Sequence, residues 1–430
     1  MFIKRMERKA GRAVFKSMAA AWIAVLMVLT GSVSSQAIPT PDSKVKNAKL
    51  NADSTAAKPF EVLPDSSNFV TASLLIGSPL PVFYSVFGHA TLRMECPAHQ
   101  LDYVFTFESD PNISGFMTGV AGKAKAKFMA LPTQEYIDLS QKLGRELWQY
   151  KLNLTPDEKK EFWRLLDNEL VAGEYRHFNL LYTNCLTTTI SAMRESLIGE
   201  HLEWGPTRYP MTLNDGDLFR LTVRRAPWSE FVYITFFGTA YERYSPREVR
   251  LIPEFVIPVL RETTFVNDST GEHRPVLADK GVRILKGKPF PTYSFTPTIA
   301  FAALLVLTLL VTLCEWLLRW RRLAKIYDIS LFSAQALVGA LLVYVTFCSE
   351  LFPGMWNWYL VAFFPIPLLI WLYSRKGRHA RKCWLVYSVV LLLFLLATPF
   401  LGALDLPHQL ITASLLVRSL KNIGRHNPKS

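Results

Sequence analysis

The chain is poor in the residues that build metal and nucleotide sites. Five cysteines and eight histidines are scattered over 430 residues, without the paired Cys/His spacing of a zinc site. No phosphate loop or G-x-G-x-x-G stretch occurs either. No cofactor is therefore expected. No cysteine precedes Cys96, which excludes the lipid-modified cysteine of a lipoprotein. The net charge of +13 could point to nucleic acid, but its excess gathers at both termini and in short loops between apolar runs. Membrane topology accounts for that pattern, and no nucleic-acid partner is expected.

Long apolar runs are absent from the middle of the chain and concentrated at its two ends. Near the start, Lys4, Arg5, Arg8, Lys9 and Arg12 precede an apolar run over residues 18–29, followed by small residues that include Ser35 and Ala37. That order reads as a secretory signal over residues 1–37, with an uncleaved anchor as the alternative. Residues 38–68 have the polar, Pro- and Ser-rich composition of a linker. An exported domain is expected over 69–295 and a membrane domain of four to five spans over 296–430.

Four runs, 297–318, 329–346, 358–373 with its flanks and 384–404, approach the roughly 20 apolar residues needed to cross the hydrocarbon core. Arg319, Arg321, Arg322 and Lys325 mark one connection as cytoplasmic, and Arg375, Lys376, Arg378, Arg381 and Lys382 mark another. The middle domain then faces outward. A fifth, short span over 406–417 would keep Arg418, Lys421, Arg425 and Lys429 inside. It requires His408 and Gln409 to face protein or an interface rather than lipid.

Alternation in the exported domain predicts short strands over 81–87, 90–94 and 101–107, the last two a hairpin turning at Cys96-Pro97-Ala98. Tyr136, Leu139, Leu143 and Leu147 recur at helical spacing. Thr155-Pro156-Asp157-Glu158 is a capping box that opens a helix over 157–170. A third helix follows Tyr182-Thr183 and carries Leu186, Ile190, Met193 and Leu197 on one face. The domain is α+β. Residues 201–295 are proline-punctuated and aromatic; they are expected to cover the core and lead to the membrane.

Cys185 opens the third helix, with Thr183 or Asn184 able to cap it. The positive end of the helix dipole and free N–H groups there favour thiolate over thiol, and the same N–H groups can stabilise an oxyanion. A thiolate nucleophile needs an imidazole partner, and His89, His99, His177, His201 and His273 lie in the exported domain. His89 is the candidate, since it starts a strand after Gly88, which permits close approach. His99 sits in a turn and His177 lies close before Cys185, so either reads as a surface residue. Two bland readings stand beside catalysis: a disulfide between Cys96 and Cys185, the only cysteines of the exported domain, or a buried structural cysteine. Lys123, Lys125 and Lys127 alternate as headgroup contacts or as a solvated strand face, and Arg93 is a headgroup ligand or a salt-bridge partner.

Four stretches, Phe87-Gly88-His89-Ala90-Thr91-Leu92-Arg93, Asp102-Tyr103-Val104-Phe105, Leu152-Asn153-Leu154-Thr155 and Tyr182-Thr183-Asn184-Cys185, together resemble the exported domain of the Lnb-type lipoprotein N-acyltransferases of Bacteroidota. Histidine on a strand before Asn-Cys on a helix is also similar to the circularly permuted papain-like fold of lecithin:retinol acyltransferase. The resemblance covers most of 72–197. It continues through Pro227-Trp228, Leu251-Ile252-Pro253, Trp356-Asn357-Trp358 and Leu406-Pro407-His408-Gln409.

This resemblance implies a permuted papain-like extracytoplasmic domain followed by an all-α transmembrane bundle in the bacterial inner membrane, with the domain in the periplasm. It implies Cys185 as nucleophile beside Asn184 and His89 as its base, a phospholipid as acyl donor and a diacylglyceryl lipoprotein as acceptor. Where the family tends to have Asn-Tyr-Gly, this chain has Thr106-Phe107-Glu108, so the residue that orients His89 is Thr106 or Glu108. The alternatives are a cysteine peptidase or amidase acting on peptidoglycan peptides, which has no need of several spans, and a non-enzymatic envelope sensor of lipid or peptide.

Overall fold

The computed structural model describes residues 70–109, 116–179, 183–205, 220–238, 252–350, 356–367, 370, 378–401 and 405–425. The expected signal and linker, Tyr182, Leu251, and the basic residues Arg375 and Lys376 lie outside the described residues.

The exported part is built on β1 (Thr71–Gly77), β2 (His89–Cys96), β3 (Leu101–Ser109), β4 (Lys125–Pro132), β5 (Leu147–Lys151), β6 (Arg176–His177) and β10 (Val282–Leu285). These strands form one antiparallel sheet in the order β10-β5-β1-β2-β3-β4-β6. A smaller sheet joins β7 (Glu200–Glu203), β8 (Thr264–Asn267) and β9 (His273–Pro275). The helices of this part are α1 (Phe116–Val120), α2 (Thr133–Leu143), α3 (Pro156–Ala172), α4 (Cys185–Glu195), α5 (Pro227–Phe237) and α6 (Pro253–Leu260).

Both faces of the sheet are covered, so β1 is buried at nearly every position. Leu74 and Ile76 point to the face packed by Phe162 and Leu166 of α3, Leu186, Ile190 and Met193 of α4, and Val256 and Leu260 of α6. Leu75, one residue out of phase, meets Val104, Leu131 and Leu147 under Tyr136 of α2. Each fully buried leucine contributes roughly 1.5–3 kcal/mol. The fold is thus α+β, as expected.

Two local expectations are corrected. Residues 81–87 are not a strand: Phe83–Ser85 form a 3-10 turn, because Pro79 and Pro81 cannot donate to a ladder, and the first strand lies upstream at Thr71–Gly77. The helical spacing through Leu147 also breaks. Gly144 ends α2 in the left-handed region at φ 76°, and Leu147 starts β5 instead. By contrast, the Thr155–Glu158 capping box forms in both directions, and the hairpin from β2 to β3 turns through Pro97–His99.

The C-terminal part is helical: α7 (Pro297–Leu317), α8 (Arg321–Phe347), α9 (Tyr359–Phe363), α10 (Arg378–Ala397) and α11 (Leu406–Arg425). Among the described residues, α7, α8 and the stretch His379–Ala397 of α10 are long and apolar enough to cross a membrane. The expected span over 358–373 begins as the short α9 and breaks at Phe364-Pro365; residues 368–369 and 371–373 lie outside the described residues. The carbonyls freed at the break, Ala362 O and Phe364 O, accept from Gln335 Nε2 at 3.1 and 3.0 Å, as backbone away from water requires. The expected short helix over 406–417 continues to Arg425.

Candidate active site

Two element starts converge. Gly88 takes φ +81°, and a Cβ there would lie 2.8 Å from Gly77 O, so only glycine fits the turn that delivers His89 to the first position of β2. Across the ladder, His89 pairs with Gly77. On the other side, Asn184 caps α4. Its Oδ1 accepts from the Leu186 and Thr187 N–H groups, both at 2.9 Å, and its own N–H donates to the Thr187 hydroxyl at 2.9 Å. The helix packs on β2 and β3 through Leu186, Ile190 and Met193, which sets Cys185, its first residue, beside His89.

Cys185 is 9 % exposed and is hydrogen-bonded to the His89 side chain and to the Ala90 N–H. His89 Nε2 lies 2.8 Å from Thr106 Oγ1, which donates to Glu108 Oε1 at 3.0 Å. Nε2 itself is 3.3 Å from that same carboxylate oxygen. With Nε2 turned to Thr106 and Glu108, Nδ1 is the nitrogen left for Cys185.

The charges reinforce one another. Burial alone would raise the Cys185 thiol; the His89 charge and hydrogen bond, the Ala90 N–H and the Arg145 charge outweigh it and hold the thiol below its ordinary range. Burial alone would lower His89, yet the Cys185 charge, the nearby Tyr136 phenol, and hydrogen bonds to Cys185 and Glu108 hold it well above the usual imidazole value. Burial would raise Glu108, but His89, Thr106 and Arg145 bring it below the usual carboxylate range. All three shifts run in the direction that favours a thiolate–imidazolium pair backed by a carboxylate.

Thr106 and Glu108, posed as alternatives from sequence, both reach His89 Nε2, at 2.8 and 3.3 Å. The disulfide reading is corrected: Cys96 and Cys185 are both free. Cys96 ends the strand that His89 begins, seven steps away, or roughly 23 Å, whereas a disulfide needs Cα atoms within about 7 Å. His99, His177, His201 and His273 are exposed and none is hydrogen-bonded to Cys185. The oxyanion expectation narrows, since Asn184 occupies the N–H groups of Leu186 and Thr187 and leaves that of Cys185.

Arg93 is a salt-bridge residue. It grips Asp102 through two nitrogens at 2.8 and 2.7 Å and also donates to Gln149 at 2.9 Å. Lys123 pairs with Glu350 at 3.4 Å, and Lys127 lies over the Tyr175 ring at 4.8 Å, so these lysines are not one uniform strand face. Among the described residues no group of three or more His, Cys, Asp or Glu side chains could hold a metal ion. Arg145 was missed by sequence reasoning; a lone arginine after a helix-ending glycine carries no local signal.

Helix α5 ties the site to the membrane helices. Its Tyr233 stacks on Phe83 with ring centroids 4.2 Å apart, meets the edge of Phe87 at 5.2 Å and donates to Phe83 O at 2.9 Å, so it grips the turn just before His89. Asn357 donates to Thr235 O and Phe236 O at 2.8 and 3.2 Å, filling orphan carbonyls at the end of α5. His408 reaches Thr235 Oγ1 at 2.7 Å and stacks on Phe231 and Tyr359. The Trp-Asn-Trp and Leu-Pro-His-Gln motifs of the membrane part therefore meet on one helix of the exported part.

A family model described as the Lnb N-terminal periplasmic domain matches residues 65–214, and one described as the Lnb transmembrane domain matches residues 290–427. No curated protein and no solved structure matches the chain. The first model spans His89, Glu108 and Cys185; the second spans α7 to α11.

Proposed function

The chain is an Lnb-type family member, a membrane protein with a periplasmic domain, and from that premise we propose that it is an inner-membrane lipoprotein N-acyltransferase that works through Cys185 and His89. The Cys185 thiolate attacks the ester carbonyl of a phospholipid acyl chain, and the negative charge moves to the carbonyl oxygen. As the tetrahedral species collapses, the C–O bond breaks and the His89 imidazolium gives its proton to the departing glycerol oxygen. A thioester on Cys185 and a lysophospholipid result, and His89 is left neutral.

The α-amino group of a diacylglyceryl lipoprotein cysteine then attacks the thioester. His89 takes the amine proton, the C–S bond breaks, and the amide leaves with the thiolate–imidazolium pair restored. Glu108, directly and through Thr106, keeps the imidazole turned toward Cys185 in both steps. Asn184 serves by capping α4 and so positioning the nucleophile.

The observation that carries this reading is the joining of the thiolate–imidazolium pair to the membrane helices through α5: Phe83 and Phe87, just before His89, pack on Tyr233, while Thr235 on the same helix meets His408. Both substrates are embedded in the bilayer, and a nucleophile so anchored meets their esters and amines at the surface. Mass spectrometry of the purified protein tests the reading. An acyl adduct on Cys185, and loss of lipoprotein N-acylation in cells carrying Cys185→Ala, are expected; triacylated lipoproteins in such cells would overturn it.

A further inference from the structure

Arg145 stands out among the buried charges. It is 7 % exposed, and among the described residues no carboxylate lies within ion-pair distance of it, although its charge reaches Glu108. One terminal nitrogen donates to the Ser85 hydroxyl, and Nε is buried without an acceptor. A buried guanidinium left with open donors is costly to maintain, and calls for a group that arrives later.

Its place is set by the backbone. Arg145 follows the Gly144 cap of α2, and its stem lies across Gly77, where a Cβ would come 2.7 Å from Arg145 Cδ and 3.2 Å from a terminal nitrogen. Gly77 is the cross-strand partner of His89, so the cation lies next to the imidazole without bonding to it. Ser85, its hydrogen-bond partner among the described residues, belongs to the turn whose Phe83 and Phe87 pack on Tyr233 of α5. The guanidinium thus sits close enough for its charge to reach both Cys185 and Glu108, and it is held by Ser85, in the turn that packs on α5.

We propose that Arg145 binds the phosphodiester of the acyl donor. The assignment rests on the acyl-transfer reading above and adds the group by which the donor is recognised. In a glycerophospholipid the phosphate is a few bonds from the acyl ester carbonyl, so an ester presented to Cys185 carries its phosphate to a neighbouring position rather than onto the sulfur. A guanidinium is suited to that anion, offering parallel donors in a fixed plane. Diacylglycerol has the same acyl esters and no phosphate, and lacks the handle.

The test uses the full-length protein in nonionic detergent and follows acyl-adduct formation on Cys185 by mass spectrometry, with phosphatidylglycerol and with diacylglycerol as donors. Wild type should prefer phosphatidylglycerol. Arg145→Gln should lose about tenfold or more on that donor and markedly less on diacylglycerol, and Arg145→Lys should fall between. Alkylation of Cys185 by iodoacetamide reports whether each variant keeps a folded site. If wild type is acylated but Arg145→Gln loses both donors equally, or neither, the Arg145 assignment falls and acyl transfer stands. If wild type alkylates normally but is never acylated by phosphatidylglycerol, acyl transfer falls and the assignment with it. If inorganic phosphate at no more than the lipid's concentration abolishes the donor preference, the site favours a free anion over the lipid and the lipid assignment is overturned.

Discussion

Glu108 Oε1 lies 3.3 Å from His89 Nε2, with each side chain only 16 % exposed. The Thr106 hydroxyl completes the connection, 2.8 Å from the ring nitrogen and 3.0 Å from the carboxylate. An imidazole fixed in this way presents one nitrogen and cannot swing away from Cys185. Glu108→Gln should therefore lower the rate of acyl-adduct formation by about tenfold or more, and it should move the high-pH limb set by His89 to lower pH. Thr106→Val leaves the direct approach in place and should lose less. Equal rates for Glu108→Gln and wild type across pH would refute the orienting role.

The state of the thiol gives a second expectation. Burial pushes Cys185 up and the His89 charge, the largest opposing influence, pulls it down to a net value below its ordinary range. Thiolate is then populated at lower pH than in an unperturbed cysteine, and the iodoacetamide reaction should titrate with a lower midpoint than that of a free cysteine in a short peptide. Removing the imidazole leaves the burial effect unopposed by its main rival. The midpoint in His89→Ala should rise above that of wild type. Cys96→Ser should not move it, since Cys96 is at the far end of β2.

That His89 and Cys185 each open an element is legible in the sequence, because each start is marked locally, by the Gly88 turn and by the Asn184 cap; their pairing is implied only by the family resemblance. The capping box at Thr155 is legible for the same reason. What is hidden depends on contacts distant in sequence. Arg145 matters because its stem crosses Gly77, and β5, which follows it, pairs with β1. The turn at Phe83–Ser85 imitates a strand, since Val82, Tyr84 and Val86 alternate like one while Pro79 and Pro81 withhold the donors a ladder needs. Leu147 continues the helical spacing of Tyr136 by coincidence, as the left-handed Gly144 has already ended the helix.

A buried ionic cluster holds the membrane helices together. Arg418 is fully buried and donates to Asp328 at 2.6 and 3.0 Å, to Glu315 at 3.0 Å and to Thr312 at 2.9 Å, joining α11 to α7 and α8. Removing one partner strands the opposite charges in a medium that cannot solvate them. Arg418→Met should destabilise the bundle by about 3–5 kcal/mol, seen as a lower melting temperature in detergent. Adding Asp328→Leu and Glu315→Leu should restore part of that loss, because the unpaired carboxylates go with the arginine. A single variant as stable as wild type would mean the cluster carries no net weight.

The same cluster sets the direction of α11. His408, near its first turn, touches Thr235 of α5 on the exported side. Arg418, further along, meets Glu315 near the end of α7 and Asp328 near the start of α8, beside the basic connection of Arg319, Arg321, Arg322 and Lys325. A helix rises about 1.5 Å per residue, so the 20 residues of α11 extend roughly 30 Å, the thickness of the hydrocarbon core. Its hydropathy alone does not show this, because it carries the polar residues His408, Thr412, Ser414 and Arg418, all buried. A reporter inserted after Gly424 should therefore lie in the cytoplasm: a fluorescent protein there should be bright and alkaline phosphatase inactive. Phosphatase activity at that position would place the end of α11 in the periplasm and leave the positive charges of the tail on the wrong side of the membrane.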